Sequence, residues 1–210
     1  MRDKIHDYAV IGNGRSAALI SRAGSIDWLC WPQFDSAPTF GALLDETRGG
    51  SWQLVPHGPV QTRRRYAGDT NVLETTFDGQ GGSIVVTDAM PVPSEDRKRR
   101  VLAPEHELVR RIRCARGSFE LDVRIDPRHD FSRSRRRASR LREVGVRWEV
   151  GSQLLTLRAD APVRLDEHGV AAVHLTLRAG DVAGFSLSFG VEAPAVMPLV
   201  CPTISERIDV

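Results

Sequence analysis

The sequence predicts an all-β domain, an antiparallel sandwich or barrel with only one or two short helices. Short apolar runs alternate with turn signals along most of the chain, which is typical of antiparallel sheets. In residues 119–125, apolar and charged side chains alternate at every step, so that one set faces a core and the other faces water. Glycine-containing turns punctuate the runs and separate one candidate strand from the next.

The first three predicted strands are Tyr8–Gly12, Ala17–Ser21 and Ser25–Trp31. Asn13-Gly14 separates the first two and Ala23-Gly24 the next two. An Asn-Gly pair between apolar runs is the strongest short-range hairpin signal, because its turn needs positive φ angles. Two successive hairpins are therefore expected.

The same residues also offer a different interpretation, a dinucleotide-binding fingerprint. Residues 12–17 fit G-x-G-x-x-A after an apolar run, and such glycines let backbone amides approach a pyrophosphate at a helix N-terminus. Here the helix would extend only from Ser16 to about Arg22, before Gly24. A crossover to a parallel strand needs about a dozen residues or more, so the hairpin is favoured.

Strand patterns continue to residue 190. The further predicted strands are Ser51–Val55, Val60–Tyr66, Val72–Phe77, Ser83–Ala89, Leu108–Cys114, Phe119–Ile125, Val144–Val150, Leu154–Ala159, Val163–Asp166, Ala171–Leu177 and Val182–Gly190.

Two segments have helical character. Residues 35–38 read Asp-Ser-Ala-Pro and predict a short helix through Leu44, since Asp or Ser suits the N-cap and Pro the first turn. Arg135–Glu143 predicts a second helix or a flexible loop. Pro91–Pro104 is expected to be a long exposed connection. Residues 1–192 are predicted to form the domain, followed by an irregular, proline-containing tail at residues 193–210.

Composition limits the classes of partner. The net charge is only +2, and no nucleic-acid motif accompanies the basic segments at residues 63–65, 97–100 and 133–142, so no nucleic acid is expected. Those runs are expected to be solvated or to face an acidic partner domain. No stretch approaches the ~20 apolar residues that span a bilayer, and the N-terminus lacks the pattern of a secretory signal, so no membrane partner is expected.

The three cysteines, Cys30, Cys114 and Cys201, are odd in number and have no C-x-x-C spacing. This pattern argues against a disulfide framework or a zinc site. Free thiols in a cytoplasmic protein are the expectation.

The most suggestive segment for a ligand interleaves Asp27 and Asp35 with Trp28 and Trp31. Aromatic rings pack on the apolar faces of sugars, and carboxylates accept hydrogen bonds from hydroxyl groups. These four residues are therefore the substrate-proximal candidates. The alternative is that Trp28 and Phe34 are core residues and that the aspartates cap turns.

No catalytic constellation is recognised. Paired carboxylates for glycoside hydrolysis need a defined separation of about 5–10 Å, which isolated acids in a sequence do not reveal. No cofactor or metal is expected, because the histidines lack metal-ligand spacing and each suits a surface or satisfied core position. They are His6, His57, His106, His129, His168 and His174.

Several ordered stretches resemble a known family. They are Ile11–Ser36, Leu43–Asp45, Arg65–Tyr66, Asp69–Phe77, Thr87–Pro91, His106–Arg111 and Asp126–Arg128. In this order they resemble the N-terminal domain of bacterial glycoside hydrolase family 15 proteins, the glucoamylase and trehalase group. The resemblance covers residues from about 7 to 190 and implies a β-sandwich of the supersandwich type.

In that family the sandwich precedes an (α/α)6 helical barrel, which carries the catalytic glutamates and inverts an α-glucosidic bond. Two short helical candidates cannot form that barrel, so the resemblance places no catalytic residue in this chain. It implies a helical (α/α)6 catalytic domain as a partner, in cis or in trans, and trehalose or an α-glucan as ligand.

The expected function is a non-catalytic accessory domain of trehalose or α-glucan metabolism, in an isolated or truncated form, with the segment from Asp27 to Asp35 at the rim of the partner's active site. One alternative is a stand-alone carbohydrate-binding or protein-interaction module. Another is the remnant of a truncated gene.

Overall fold

The computed structural model describes residues 4–92, 104–133, 136–141, 145–150 and 153–190. Within these ranges the chain forms fifteen strands, paired antiparallel, and two short 3-10 helices at Ile5–Asp7 and His129–Ser132. The predicted all-β antiparallel architecture is thereby confirmed. Most of the expected connection at residues 91–104, and the expected tail at residues 193–210, lie outside the described residues. No helix in the described part of the chain is long and apolar enough to cross a membrane.

Most of the strands follow the predicted positions closely. The strands are β1 Ala9–Gly12, β2 Ala17–Ile20, β3 Ile26–Cys30, β4 Pro38–Phe40, β5 Gly50–Pro56, β6 Val60–Tyr66, β7 Leu73–Gly79, β8 Gly82–Ala89, β9 His106–Pro127, β10 Arg136–Arg140, β11 Gly145–Val150, β12 Gln153–Ala159, β13 Arg164–Leu165, β14 Ala171–Arg178 and β15 Val182–Gly190.

The strands form two sheets that share one long strand. The first sheet has the order β1-β2-β3-β5-β9-β14-β13, with β4 beside β3. The second has the order β6-β7-β8-β9-β15-β12-β11-β10. Residues 106–117 of β9 belong to the second sheet and residues 118–127 to the first, so this strand is the covalent junction of the sandwich.

The crossing of β9 between the sheets occurs at a bulge. The pairing with β8 shifts between Ser83 and Ile84, and Gly117 has a φ of 68°. A β-bulge bends its strand and increases the local twist, and a positive φ is adopted readily only by glycine. A Cβ atom on Gly117 would lie 2.2 Å from the carbonyl oxygen of Gly81. Glycine is therefore required both for the backbone angle and for the close approach of the two strands.

Aromatic side chains from the two sheets meet in one core. The rings of Trp52 and Phe185 are 6.1 Å apart in an edge-on arrangement, and those of Trp31 and Phe189 are 6.1 Å apart and tilted. Trp148 is also fully buried, and its indole N–H donates to the carbonyl of Gly169 at 2.7 Å. Edge-on and tilted pairs of this kind add to the free energy gained by burying the rings.

An ion pair is buried inside this core. Arg110 on β9 and Asp88 on β8 are both completely inaccessible to solvent. The guanidinium donates from Nε to Asp88 Oδ1 at 2.6 Å and from Nη2 to Oδ2 at 3.1 Å. It also donates to the carbonyl of Gly24 at 2.8 Å and lies 5.0 Å from the centre of the Trp52 ring. Arg110 therefore holds the turn between β2 and β3 from within the sandwich.

The N-terminal hairpin is confirmed, since β1 and β2 pair antiparallel from Ala9 opposite Ile20 to Gly12 opposite Ala17. Its loop comprises four residues, in which the side chain of Asn13 accepts hydrogen bonds from the backbone amides of Arg15 and Ser16, both at 3.0 Å. The chain after β1 therefore forms strand β2 at residues 17–20, where the dinucleotide-binding interpretation requires a helix.

The predicted helix through Leu44 is wrong. Residues 38–40 form β4, which pairs Phe40 with Leu29 and Pro38 with Cys30. The extended backbone places Phe40 fully in the core, whereas Leu44 is 61% exposed. Tertiary pairing with β3 therefore outweighs the local capping signal.

The possible helix at Arg135–Glu143 is also wrong for its described part. Residues 136–140 form β10, in which Ala138 lies opposite Trp148 of β11. Arg136 donates to Asp126 Oδ1 at 2.8 Å. This segment lacks the apolar stripe that would stabilise a packed helix, whereas pairing with β11 satisfies the backbone groups along one edge of the strand.

Candidate functional site

A polar cleft lies on the outer face of the first sheet, against β3 and β5. Its volume is about 650 Å³. The turn at residues 41–46 closes one side, and the backbone amide of Leu43 in this turn donates to the carbonyl of Asp27 at 3.0 Å. The lining residues are Tyr8, Ser21, Ala23, Ser25, Asp27, Ala42, Leu43, Glu46, Ser51, Gln53, Leu54 and Val55.

Asp27 reaches this cleft from a bulge in β3. Ile20 and Leu19 of β2 lie opposite Ile26 and Trp28, so Asp27 is the extra residue of the bulge. Bulges of this kind re-aim side chains beside functional sites. The hydroxyl of Tyr8 donates to Asp27 Oδ2 at 2.9 Å, and that of Ser25 donates to Oδ1 at 2.5 Å. The carboxylate is thereby held in one orientation, with further lone pairs available as acceptors.

The four substrate-proximal candidates do not line one common cleft. Of the four, Asp27 alone lines the cleft. Trp28 is half-buried and pairs with Leu19 of β2, and Asp35 is exposed on the turn that follows β3. Trp31 is fully buried, so its ring offers no free face for stacking on a sugar and belongs to the core instead.

The two described cysteines, Cys30 and Cys114, are free and buried. Burial raises the pKa of the Cys30 thiol, and the negative charge of Asp35 acts in the same direction. Asp35 therefore lies near enough to influence the end of β3, although it does not line the cleft.

A cluster of two histidines and an aspartate on the outer face of the first sheet was not predicted from the sequence. His57, Asp122 and His174 place one candidate metal-ligand atom each within 4.8 Å of the others. The hydrogen bond to Asp122 raises the pKa of His57 above its ordinary value. The hydrogen bonds from His57 and His174 lower the pKa of Asp122. Two of the six histidines are thus brought together, although the sequence suggested that all were scattered.

The basic run at residues 63–65 is largely paired within the domain. Arg63 contacts Asp78 at 2.7 Å and Arg65 contacts Glu74 at 2.7 Å. Arg64 donates to the carbonyls of Asp7 and Ile20. The run therefore braces strands β6 and β7 and the N-terminal segment, a role that its charge alone did not reveal.

Comparison with known proteins connects this fold to one family. The family model described as "Trehalase-like, N-terminal" matches residues 2–186. The trehalase of Mycobacterium tuberculosis is 32% identical over 188 residues, which is 84% of this chain and 26% of the relative. The trehalase of Mycolicibacterium smegmatis is 37% identical over 141 residues, which is 61% of this chain and 21% of the relative. The chain thus spans about a quarter of the length of the curated relatives it matches. Because the family model covers nearly the whole sequence, the chain belongs to the trehalase-like N-terminal domain family.

Proposed function

We propose that this chain is a non-catalytic accessory domain of an enzyme that hydrolyses trehalose or a related α-glucoside. The observation that carries the proposal is the family match over residues 2–186, together with trehalase relatives about three times as long. In this proposal the parent enzyme belongs to glycoside hydrolase family 15, and a helical (α/α)6 domain, in cis or in trans, supplies its catalytic acid and base.

The chemistry of the cleft supports a binding role. Inverting hydrolysis needs one protonated carboxyl group and one carboxylate, placed on opposite sides of the scissile bond. Asp27 and Glu46 both line the cleft, but hydroxyl donors from Tyr8 and Ser25 engage both oxygens of Asp27. This carboxylate is arranged as a hydrogen-bond acceptor, a function suited to holding a sugar hydroxyl or a polar group of the partner.

The surface around Asp27 is proposed to face the rim of the partner's active site. Trp28 and Asp35 follow it along the chain and complete the proposed contact, whereas Trp31 supports the segment from the core. Arg110 adds rigidity by holding the carbonyl of Gly24 just before the bulge. Such backing is valuable because binding groups act best on rigid elements.

The free thiols of Cys30 and Cys114 support a cytoplasmic location for the protein. Fractionation of the native host tests this part of the proposal. Recovery of the chain in the secreted fraction would contradict it.

A chimeric enzyme tests the accessory role. Residues 2–186 of this chain replace the matched segment of the Mycobacterium tuberculosis trehalase, which spans 188 residues, and trehalose hydrolysis is measured. The chimera is expected to be active and the isolated chain inactive. Asp27→Asn is expected to raise KM in the chimera, whereas Glu167→Gln, at a carboxylate that is 87% exposed, leaves kcat and KM unchanged. Hydrolysis by the isolated chain, or a folded but inactive chimera, would contradict the proposal.

A second candidate function is a stand-alone carbohydrate-binding or protein-interaction module. The polar cleft favours it, because the hydroxyl, carboxylate and amide groups that line it, from Ser51, Asp27 and Gln53, suit hydrogen bonds with a sugar. Calorimetric titration of the isolated domain with trehalose and with maltooligosaccharides separates the two functions. Binding that is lost in Asp27→Asn supports the module, and no heat with either sugar supports the accessory domain.

A further inference from the structure

Three neighbouring strands of the first sheet bring two histidines and two carboxylates together on the outer face. Asp122 on β9 lies directly opposite His174 on β14, and the backbone amide of His57, just after β5, donates to the carbonyl of Glu120 at 2.9 Å. Side chains two residues apart on a strand share a face, so Glu120 and Asp122 point to the same side. We call His57, Glu120, Asp122 and His174 the histidine cluster.

The side chains of the histidine cluster are within coordinating reach of one another. His57 Nε2 is 2.8 Å from Asp122 Oδ2, and His174 Nδ1 is 2.8 Å from Asp122 Oδ1. Glu120 Oε1 is 3.2 Å from His174 Nε2 and 3.6 Å from His57 Nδ1. The ligand atoms of His57, Asp122 and His174 lie within 4.8 Å of one another, whereas Glu120 contacts the opposite nitrogen of each ring. Zinc bonds of 2.0–2.2 Å in a tetrahedral site place ligand atoms about 3.3 Å apart, so small movements of three side chains bring their ligand atoms to the separation that the ion requires.

The histidine cluster also has the accessibility that an entering ion needs. Its four side chains are between 40% and 49% exposed. The His57 and His174 rings face each other obliquely with their centres 5.5 Å apart. The backbones of Glu120, Asp122 and His174 lie in paired strands, and the backbone amide of His57 is bonded to Glu120, so the cluster has a fixed frame.

We propose that the histidine cluster is a binding site for zinc or a similar divalent transition-metal ion. His57, His174 and Asp122 supply three ligands and water supplies the fourth, while Glu120, near the opposite nitrogen of each ring, orients the two imidazoles. Two imidazoles with a carboxylate suit zinc, copper or nickel, whereas magnesium and calcium prefer ligand sets made of oxygen. The bound ion would join β5, β9 and β14 across the outer face of the first sheet.

Calorimetric titration of the tag-free full-length chain with zinc chloride near pH 8 tests the proposal, since neutral imidazole is the ligand. The experiment uses a Cys201→Ser background, because a thiolate also binds zinc. His57→Ala and His174→Ala are each expected to weaken binding by at least about tenfold. His168→Ala is the matched control: its ring lies 3.8 Å from Glu167, in a histidine–acid pair without a second histidine.

Cobalt provides an independent readout of the ligands. The visible absorption of bound cobalt is expected to be that of a four-coordinate ion, to disappear in the His57→Ala/His174→Ala double variant and to persist in His168→Ala. A large excess of magnesium is expected not to displace it. Zinc binding that is equal in the double variant and the parent, displacement by magnesium, or no binding by a folded parent would each overturn the proposal. Circular dichroism of every variant confirms that the sheets are intact.

Discussion

The buried pair of Asp88 and Arg110 gives a quantitative prediction about stability. Replacing Asp88 with Asn keeps the volume but leaves the Arg110 guanidinium without its counter-charge in a fully buried position. Breaking a buried ion pair from one side costs about 3–5 kcal/mol, because the remaining charge stays desolvated. The contacts of the Arg110 guanidinium with the Gly24 carbonyl and the Trp52 ring remain, but neither of these groups carries a full negative charge.

This magnitude is large against the total stability of a domain. The free energy of unfolding of a single domain is about 5–15 kcal/mol. At this chain length, each kcal/mol of lost stability lowers Tm by about 2–4 °C. Asp88→Asn is therefore expected to lower Tm by roughly 6–20 °C. The exposed pair of Arg63 and Asp78 is the comparison, since Asp78→Asn removes a surface contact of 2.7 Å at a cost of about 0–1 kcal/mol.

Urea unfolding followed by tryptophan fluorescence and by far-UV circular dichroism measures both variants. A double variant, Asp88→Leu with Arg110→Met, separates the burial of a charge from the loss of a contact. Without either charge, it is expected to be at least about 1 kcal/mol more stable than Asp88→Asn. The Gly24 carbonyl loses its donor, so a deficit of about 1–3 kcal/mol against the parent remains. The reasoning fails if Asp88→Asn costs no more than Asp78→Asn, or if the double variant is no better than the single one.

Three further perturbations test other parts of the fold. Burial lowers the pKa of His106, so on acidification the unfolded chain takes up this proton first and stability is lost as the pH falls below about 6.5. His106→Gln is expected to flatten the decline of Tm between about pH 7.5 and pH 5, and an unchanged slope would contradict the assignment. Gly117→Ala is expected to cost well over 1–2 kcal/mol in urea unfolding, because its methyl group would meet the Gly81 carbonyl at 2.2 Å in addition to the strain of positive φ. Gly14→Ala, also at positive φ but in open space, is expected to cost only about 1–2 kcal/mol, and equal costs would refute the role of the contact. The Cys30 thiol, buried and with a raised pKa, is expected to be alkylated much more slowly in the folded chain than in urea, as measured by mass spectrometry of its peptide. Equal rates would show that the end of β3 is open.

Local patterns were sufficient to predict most strands. Residues 119–125 alternate in sequence, and in the structure Phe119, Leu121, Val123 and Ile125 are buried as the alternation requires. The pattern did not show that residues 108–114 and 119–125 belong to one strand, because Gly117 was interpreted as a break. In some sequences a glycine at positive φ ends a strand, and in others it bends a strand that continues. Only the pairing with neighbouring strands distinguishes these two cases.

The charged residues were harder to interpret. Asp88 and Arg110 look like surface residues in a sequence, because most charged side chains are exposed unless they are paired. The two residues are 22 positions apart along the chain. They meet because the register between β8 and β9 places them opposite each other. His57 and His174 meet for the same reason, through β9 between them. Asp27 was identified from its neighbours, but the bulge that turns it into the cleft depends on the pairing with β2.

The sharing of β9 between the sheets has a consequence for how the domain comes apart. In each sheet β9 is an interior strand, flanked by β8 and β15 in one and by β5 and β14 in the other. Detaching either sheet would strip both neighbours from one half of β9 and expose the aromatic core to water. The two halves therefore lose structure together, as one cooperative unit in which partial unfolding is costly. In the proposed accessory role this property keeps the surface around Asp27 fixed, because the position of Asp27 in one sheet is held by the integrity of both.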